Sequence, residues 1–359
     1  MKILHIISSL EIGGAQRLLS DLLPIQKQQG LDVSLLVLKT EETDFTRKVQ
    51  KAGVPIISLN VKSFRNPMIA LKIRKIIKRY DVVHAHLVHS LYLCSLAARG
   101  LTVKLVYTEH STSNNRRGRW FMRPIEKFIY SRYAKLIGIS QQTQDMLQEW
   151  LQSKDERFVV INNGVDTQRF ASIKKTVIPK SLIMVSRFAS SKDQETVIRA
   201  MRNIDSEAIV RFVGNGENLE HCKHVAKECG VEDRVHFLGA RSDVAELISE
   251  SYIGIQSSNW EGFGLTAVEI MACGKPVIAS NVDGLKQVVD GAGIIFEKGN
   301  SENLAENIKR LLENKDFYDV VSERCRKRAL KYDINNMANQ YSDVYREVIP
   351  VKEIMRYEY

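Results

Sequence analysis

Residues 251–280 read "SYIGIQSSNWEGFGLTAVEIMACGKPVIAS". The run "SYIGIQSS" has the β-rich character of a strand, "NWEGFG" is a glycine-punctuated loop, and "LTAVEIMACG" is a helix closed by Gly274 with Pro276 just beyond. "PVIAS" then begins a second strand. Strand, helix and strand in that order make a parallel crossover unit, and the same alternation continues outward in both directions. Strand-like runs recur at "KILHIIS", "DVSLLVL", "PIISL", "DVVHAH", "KLVYTEH" and "KLIGIS", then at "SLIMVS", "AIVRFVG", "VHFLG" and "AGIIF". Helical period separates them: in "ENLAENIKRLLENK", Leu304, Ile308, Leu311 and Leu312 share one face. The pattern predicts an α/β protein of two doubly wound, Rossmann-like parallel-sheet domains facing a cleft. Turn residues and charges interrupt it over 162–181, which places an N-terminal domain at 1–170 and a C-terminal domain at 171–335. The closing stretch, 336–359, is expected to form a helix that packs back on the N-terminal domain.

A chain of 359 residues with 44% hydrophobic content is enough for two packed cores of roughly 150 residues each. The five cysteines are odd in number, scattered, and form no C-x-x-C pair, so they read as reduced, cytosolic thiols. "MKILHIISSLEIGG" continues into Glu11 and two glycines where a cleavage site would need small residues, so it reads as a first strand and not a signal peptide. No apolar run reaches the 18 or so residues of a spanning helix, which leaves a soluble or peripheral protein.

Ligands of such sheets lie beyond the carboxyl ends of the strands. A dinucleotide is not indicated: "IGGAQR" at Gly13 and Gly14 does not fit G-x-G-x-x-G, and "GNGENL" has Leu219 where the third glycine belongs. P-loop, D-x-D and H-E-x-x-H patterns are missing from the sequence, so no metal site is expected. In the opening stretch, Phe263, Gly264 and Leu265 would present backbone amides at a helix amino terminus, where the dipole favours a phosphate. Glu269 has two readings. With Thr266 it matches the S/T-x-x-E capping box, and with Glu261 it could form a carboxylate pair that acts on a sugar.

Six ordered segments now bear on the function. "EGFGLTAVEIMACGKPVIAS" resembles the E-x7-E donor loop of the retaining GT-B glycosyltransferases of family 4, the glycosyl transferases group 1, and "GGAQ" is similar to that family's acceptor-side glycine loop. "INNGVD", "VSRFASSKDQETVIRAM", "FVGNGE" and "FLGARSDVAELI" follow in the family's order. The resemblance covers nearly the whole chain. It implies an acceptor-binding N-terminal domain and a C-terminal domain for a nucleotide-diphosphate sugar, with no cofactor and no metal. By matched position, Arg187 and Lys192 clamp the donor diphosphate, Glu269 holds the ribose, and Glu261 holds a sugar hydroxyl. Gly13 and Gly14 let the backbone approach the donor, and His110 in "YTEHST" lies near the reacting centre; His84, His86 and His89 read as structural. Gln16 stands where the family often has Glu. The implied reaction transfers a sugar to a hydroxyl acceptor, a sugar or a lipid-linked one, with retained configuration, in surface polysaccharide or glycolipid synthesis. A nucleotide-sugar epimerase of the same fold and a non-catalytic nucleotide-sugar binding protein are the alternatives.

Charge is distributed unevenly. Residues 1–170 hold 26 Lys and Arg against 14 Asp and Glu, a net of +12, whereas the remainder nets −2. In "NPMIALKIRKIIKRY", Ile69, Ile73, Ile76 and Ile77 are expected to face the core and Lys72, Lys75 and Arg79 to form a basic stripe. "NNRRGRWFMRPIEKF" gathers Arg116, Arg117, Arg119 and Arg123 around Trp120 and Phe121, before Pro124 opens a helix. Basic residues interleaved with aromatics suit an anionic membrane surface, the inner face of the cell membrane for a cytoplasmic enzyme; the competing reading is a solvated face over two core aromatics. Nucleic acid is not expected, because no binding motif accompanies the charge.

Overall fold

The computed structural model describes residues 1–11, 13–64, 66–111 and 119–349. The chain divides into two compact units, one formed by Met1–Gly164 with Ile334–Tyr359 and the other by Val165–Asp333.

The first unit alternates β1 (Lys2–Ile7), α1 (Gly14–Gln28), β2 (Asp32–Val37), α2 (Asp44–Lys51), β3 (Ile56–Ser58), α3 (Ile69–Ile77) and β4 (Val82–His86). It continues through α4 (Leu87–Ala97), β5 (Lys104–Glu109), α5 (Met122–Tyr130), β6 (Lys135–Gly138), α6 (Gln141–Leu151) and β7 (Phe158–Val160). All its strands are parallel, in the order β3-β2-β1-β4-β5-β6-β7. The chain therefore winds outward from β1 to β3, crosses back to β4, and winds the other way. β7 is missing from the strands expected above; it is a three-residue edge strand with only Phe158 buried.

The second unit comprises α7 (Thr167–Ser172), β8 (Ser181–Val185), α8 (Gln194–Ala200), β9 (Ile209–Val213), α9 (Leu219–Glu228), β10 (Val235–Phe237), α10 (Val244–Glu250) and β11 (Ile253–Gln256). It ends with α11 (Leu265–Ala272), β12 (Val277–Ser280), α12 (Asp283–Val289), β13 (Ile294–Phe296), α13 (Ser301–Glu313) and α14 (Lys315–Leu330). Its six parallel strands run β10-β9-β8-β11-β12-β13. The α13–α14 corner is local chemistry: Asn314 ends one helix and caps the next, its side-chain oxygen accepting from Phe317 N at 2.9 Å.

The units part between Gly164 and Val165, not at 170. Val165 N–H donates to Tyr332 O at 2.9 Å and the Thr167 hydroxyl bonds Asp333, so the start of α7 belongs to the second unit. The return comes at Ile334, where α15 (Ile334–Val348) begins. Its Ile334, Met337, Ala338, Tyr341, Val344 and Tyr345 are buried in the first unit, in a core with α1 and one face of the sheet; α3 to α6 cover the other face. Among the described residues no helix is long and apolar enough to cross a membrane.

Candidate active site

In a doubly wound sheet, neighbouring strands whose following chain leaves in opposite directions open a crevice at their carboxyl ends. In the second unit these strands are β8 and β11. The segments leaving them carry the residues singled out above: Arg187 and Lys192 follow β8, and Glu261 to Leu265 follow β11.

Backbone bonds hold the two segments together. Lys192 and Ser258 form an antiparallel bridge, Asn259 N–H donates to Ser191 O at 2.9 Å, and Asp193 N–H donates to Ser257 O at 3.2 Å. The buried Ser280 hydroxyl, at the end of β12, accepts from Ser258 N–H at 2.9 Å and donates to Ser258 O at 3.0 Å. Lys192 Nζ is thereby brought to the Glu261 carboxylate, with Ser258 Oγ 3.3 Å away. Two side chains that the resemblance assigns to different ends of the donor are thus ion-paired, at 17% and 21% exposure.

Arg187 is exposed and makes no ion pair with any described residue. Its backbone is anchored: Ser186 N–H donates to Val213 O and Phe188 N–H to Asn215 O, each at 2.9 Å. The "GNG" glycines make this approach possible. At Gly214 and Gly216, with φ of +139° and +157°, a Cβ would lie 2.0 Å from Ser186 O and 2.1 Å from Phe188 O. The triplet does not fit a dinucleotide motif and entered above only as part of the resemblance; its local signal is two glycines one apart directly after a strand, which marks close backbone contact. Nothing in the sequence pointed to Ser280.

Gly264, in the left-handed region at φ 88°, is the residue that starts α11, so Thr266 lies inside the helix and the capping box is not formed. Phe263 is buried with its ring edge-on to Tyr332, 5.3 Å between centroids. Among the described residues no backbone carbonyl accepts from the N–H groups of Phe263, Gly264 or Leu265. Glu269 is 2% exposed on a helix buried nearly all round. Burying a carboxylate there is costly unless it is paired or hydrogen-bonded, and a capping box does not supply that.

In the first unit the corresponding crevice lies at β1 and β4. Gly13 precedes α1 in an extended conformation, and the Gln16 side chain lies over it: a Cβ there would be 2.3 Å from Gln16 Oε1. Gly14 meets nothing within 4 Å. His110 follows β5, half-buried, with burial pushing its pKa down to about 4. Its Nε2 is 3.1 Å from His86 Nδ1, whose own Nε2 is 3.1 Å from His5 Nδ1. His84 and His86, read as structural from sequence, are wholly buried beside His5, and His86 contacts a candidate site residue directly.

The basic stripe and aromatics fall out differently from one another. Lys72, Lys75 and Arg79 are exposed; Ile69, Ile73 and Ile77 are core, while Ile76 is half-buried. Trp120 is 85% exposed, which rules out a core role for it, and Phe121, Ile125 and Phe128 continue an exposed apolar stripe along α5. Pro124 sits in the first turn of α5 behind Met122. Arg123 is turned inward, its guanidinium 4.9 Å from the Trp150 ring centroid, and Arg116 and Arg117 lie outside the described residues.

Comparison with known proteins accounts for nearly the whole chain. The family model for glycosyl transferases group 1 matches residues 166–328, and that for Glycosyltransferase Family 4 matches residues 12–169. The N-acetyl-alpha-D-glucosaminyl L-malate synthase of Bacillus anthracis is 25% identical over 75% of each chain. The UDP-Gal:alpha-D-GlcNAc-diphosphoundecaprenol alpha-1,3-galactosyltransferase of Escherichia coli is 23% identical over 97% of each. Among solved structures, Anabaena Alr3699/HepE in complex with UDP and glucose superposes with a TM-score of 0.84 at 21% identity, covering 96% of this chain and 99% of that one.

Proposed function

This chain belongs to the family 4 glycosyltransferases, the glycosyl transferases group 1, and is an enzyme of sugar transfer; from that premise we propose that its second unit holds a nucleoside diphosphate sugar at the β8–β11 crevice. The observation that carries this reading is the zipped pair of loops, which collects one guanidinium, one ammonium and three backbone N–H groups with no carbonyl partner among the described residues, at the carboxyl edge of one sheet.

Cleaving the bond from the anomeric carbon to the phosphate oxygen builds negative charge on the leaving diphosphate. Arg187, Lys192 and the 263–265 amides are fixed donors suited to that charge, and they supply the stabilisation that a divalent ion gives in D-x-D enzymes. Glu261, already bonded to Lys192, would hold a sugar hydroxyl, and buried Glu269 the ribose. We assign retention of configuration: the acceptor hydroxyl attacks the face from which the diphosphate departs, and a departing phosphate oxygen takes its proton. Thermal-shift screening against nucleotide sugars tests the donor site, because a ligand at 100 times its Kd stabilises by about 2.7 kcal/mol. No shift with any nucleoside diphosphate sugar would remove the reading. Turnover of the donor so found should be unchanged in EDTA, and a strict need for Mg²⁺ or Mn²⁺ would overturn the metal-free scheme.

The acceptor is proposed to be lipid-linked, met at an anionic membrane surface in surface polysaccharide or glycolipid assembly. The E. coli relative acts on a diphosphoundecaprenol-linked sugar, and in the first unit here Trp120, Phe121, Ile125 and Phe128 are exposed beside Arg119 and Lys127. Aromatic and basic side chains together suit the headgroup boundary, each basic residue near it adding about 1 kcal/mol. The protein should sediment with anionic vesicles at low salt, release as salt rises, and lose binding in a Trp120→Ser/Phe128→Ser variant. Equal recovery in the supernatant with anionic and neutral vesicles would favour a soluble acceptor.

A further inference from the structure

The strands of the first unit bring four histidines into one row. β1 and β4 place His5 opposite His84, and β4 and β5 place His86 opposite Thr108, all on the sheet face covered by α1 and α15. From Thr108 Oγ1 it is 2.7 Å to His84 Nε2, and from His84 Nδ1 it is 2.7 Å to the Tyr345 hydroxyl of α15. That hydroxyl is 3.5 Å from His5 Nε2, and the 3.1 Å steps to His86 and on to His110 complete the row.

We propose that His86 is a positioning residue that holds His110 as its Nε2–H tautomer, leaving Nδ1 as a bare acceptor for a substrate hydroxyl. A neutral imidazole carries one N–H and one lone-pair nitrogen, so bonds along such a row all point one way. Burial keeps these rings neutral: it holds His84 and His86 well below the usual histidine range and His5 down to about 3. The direction is set at Tyr345. A phenol is a better donor than acceptor, and its short bond is the one to His84 Nδ1, so it donates there. The His5 Nε2–H is then taken by the Tyr345 oxygen together with the buried Gln26 amide, which interacts with both His5 and Tyr345. His5 Nδ1 then accepts from His86 Nε2–H, and His86 Nδ1 accepts from His110 Nε2–H. No described residue bonds His110 Nδ1. A divalent ion on His5, His84 and His86, whose ligand atoms lie within 4.8 Å of one another, would compete for the same nitrogens, both of which on His84 already hold hydroxyls.

That the tautomer matters for transfer rests on the reading of His110 as a residue near the reacting centre. The test joins two readouts on the full-length enzyme. Nitrogen-15 spectra of histidine-labelled protein should show His110 as the Nε2–H form; an Nδ1–H form in the wild type overturns the proposal. His86→Phe, which removes the acceptor, should lose that pattern and lower kcat about tenfold with the donor KM within about twofold, the loss of one hydrogen bond. His86→Gln, whose side-chain oxygen can accept from His110 Nε2–H, should restore both the pattern and most of the rate, and it also serves if the phenylalanine variant does not fold. An unchanged His110 spectrum in a folded His86→Phe protein overturns the positioning role. A changed tautomer with unchanged kcat upholds that role and instead removes His110 from the reacting centre.

Discussion

Replacing Lys192 by alanine separates two functions of one ammonium group. It sits between the Glu261 carboxylate and Ser258 Oγ, with the lysine side chain 17% exposed and the glutamate 21%. Deleting it leaves a carboxylate that has lost its cation in a site water reaches only in part. Such a loss costs about 1–3 kcal/mol, toward the lower end here because some solvent access screens the charge. The fold should survive, since the Lys192–Ser258 bridge and the Asn259 N–H to Ser191 O bond are made by backbone. Turnover should fall about a hundredfold, the order found when one preorganised donor to a developing anion is removed, or about 2.7 kcal/mol of barrier. A cycle with Glu261→Gln tells the two effects apart. Neutralising the carboxylate removes the stranded charge, so the double variant should be more stable than the sum of single losses, by about 0.5–3 kcal/mol. Its turnover should stay low, because the leaving diphosphate still lacks its cation. Urea unfolding reports the stabilities, and the initial rate of nucleoside diphosphate release reports turnover. Wild-type turnover in folded Lys192→Ala would refute the clamp, and recovery in the double variant would show that Lys192 serves only to neutralise Glu261.

Glu269→Gln should weaken binding of the free nucleotide, whereas Glu261→Gln should spare the nucleotide and impair the sugar donor; calorimetry giving the same affinities for both variants would remove the division of roles. Gly264→Ala should cost about 1–3 kcal/mol from the left-handed backbone, with a Cβ 2.6 Å from Leu285 Cδ2 adding strain, and should lower nucleotide affinity with it; thermal unfolding and calorimetry at one temperature check both. Acidification should destabilise the first unit. His5 and His110 have native pKa values lowered to about 3 and about 4, so below the unfolded value near 6.5 the unfolded chain binds protons that the native one refuses. Each contributes stability that is present above about pH 6.5 and is lost as pH falls toward its native value, about 2 kcal/mol by pH 5. His110→Asn should flatten that dependence, and an unchanged slope between pH 7 and 5 would contradict it.

What the sequence determined by itself was the alternation of strand and helix and, through it, the class of fold. Those signals are periods of two and 3.6 residues, written in neighbouring positions, and they survive without any knowledge of partners. Of the residues after β8 and β11, Phe263 to Leu265 could be singled out for the same reason, between a readable strand and a readable helix, whereas Arg187 and Lys192 came only from the family resemblance. Tertiary structure decided which strands lie side by side, and with that the crevices, because strand order depends on crossovers that no local period records. It paired Lys192 with Glu261, 69 positions apart, and set His86 against both His5 and His110, 81 and 24 positions away. It also removed the capping-box reading of Glu269, because Gly264, not Thr266, is the residue that caps α11. A histidine in a buried strand looks the same in sequence whether it only packs or hands a hydrogen bond to the next strand. The difference lies in the register between β1, β4 and β5, and only the folded sheet fixes that register.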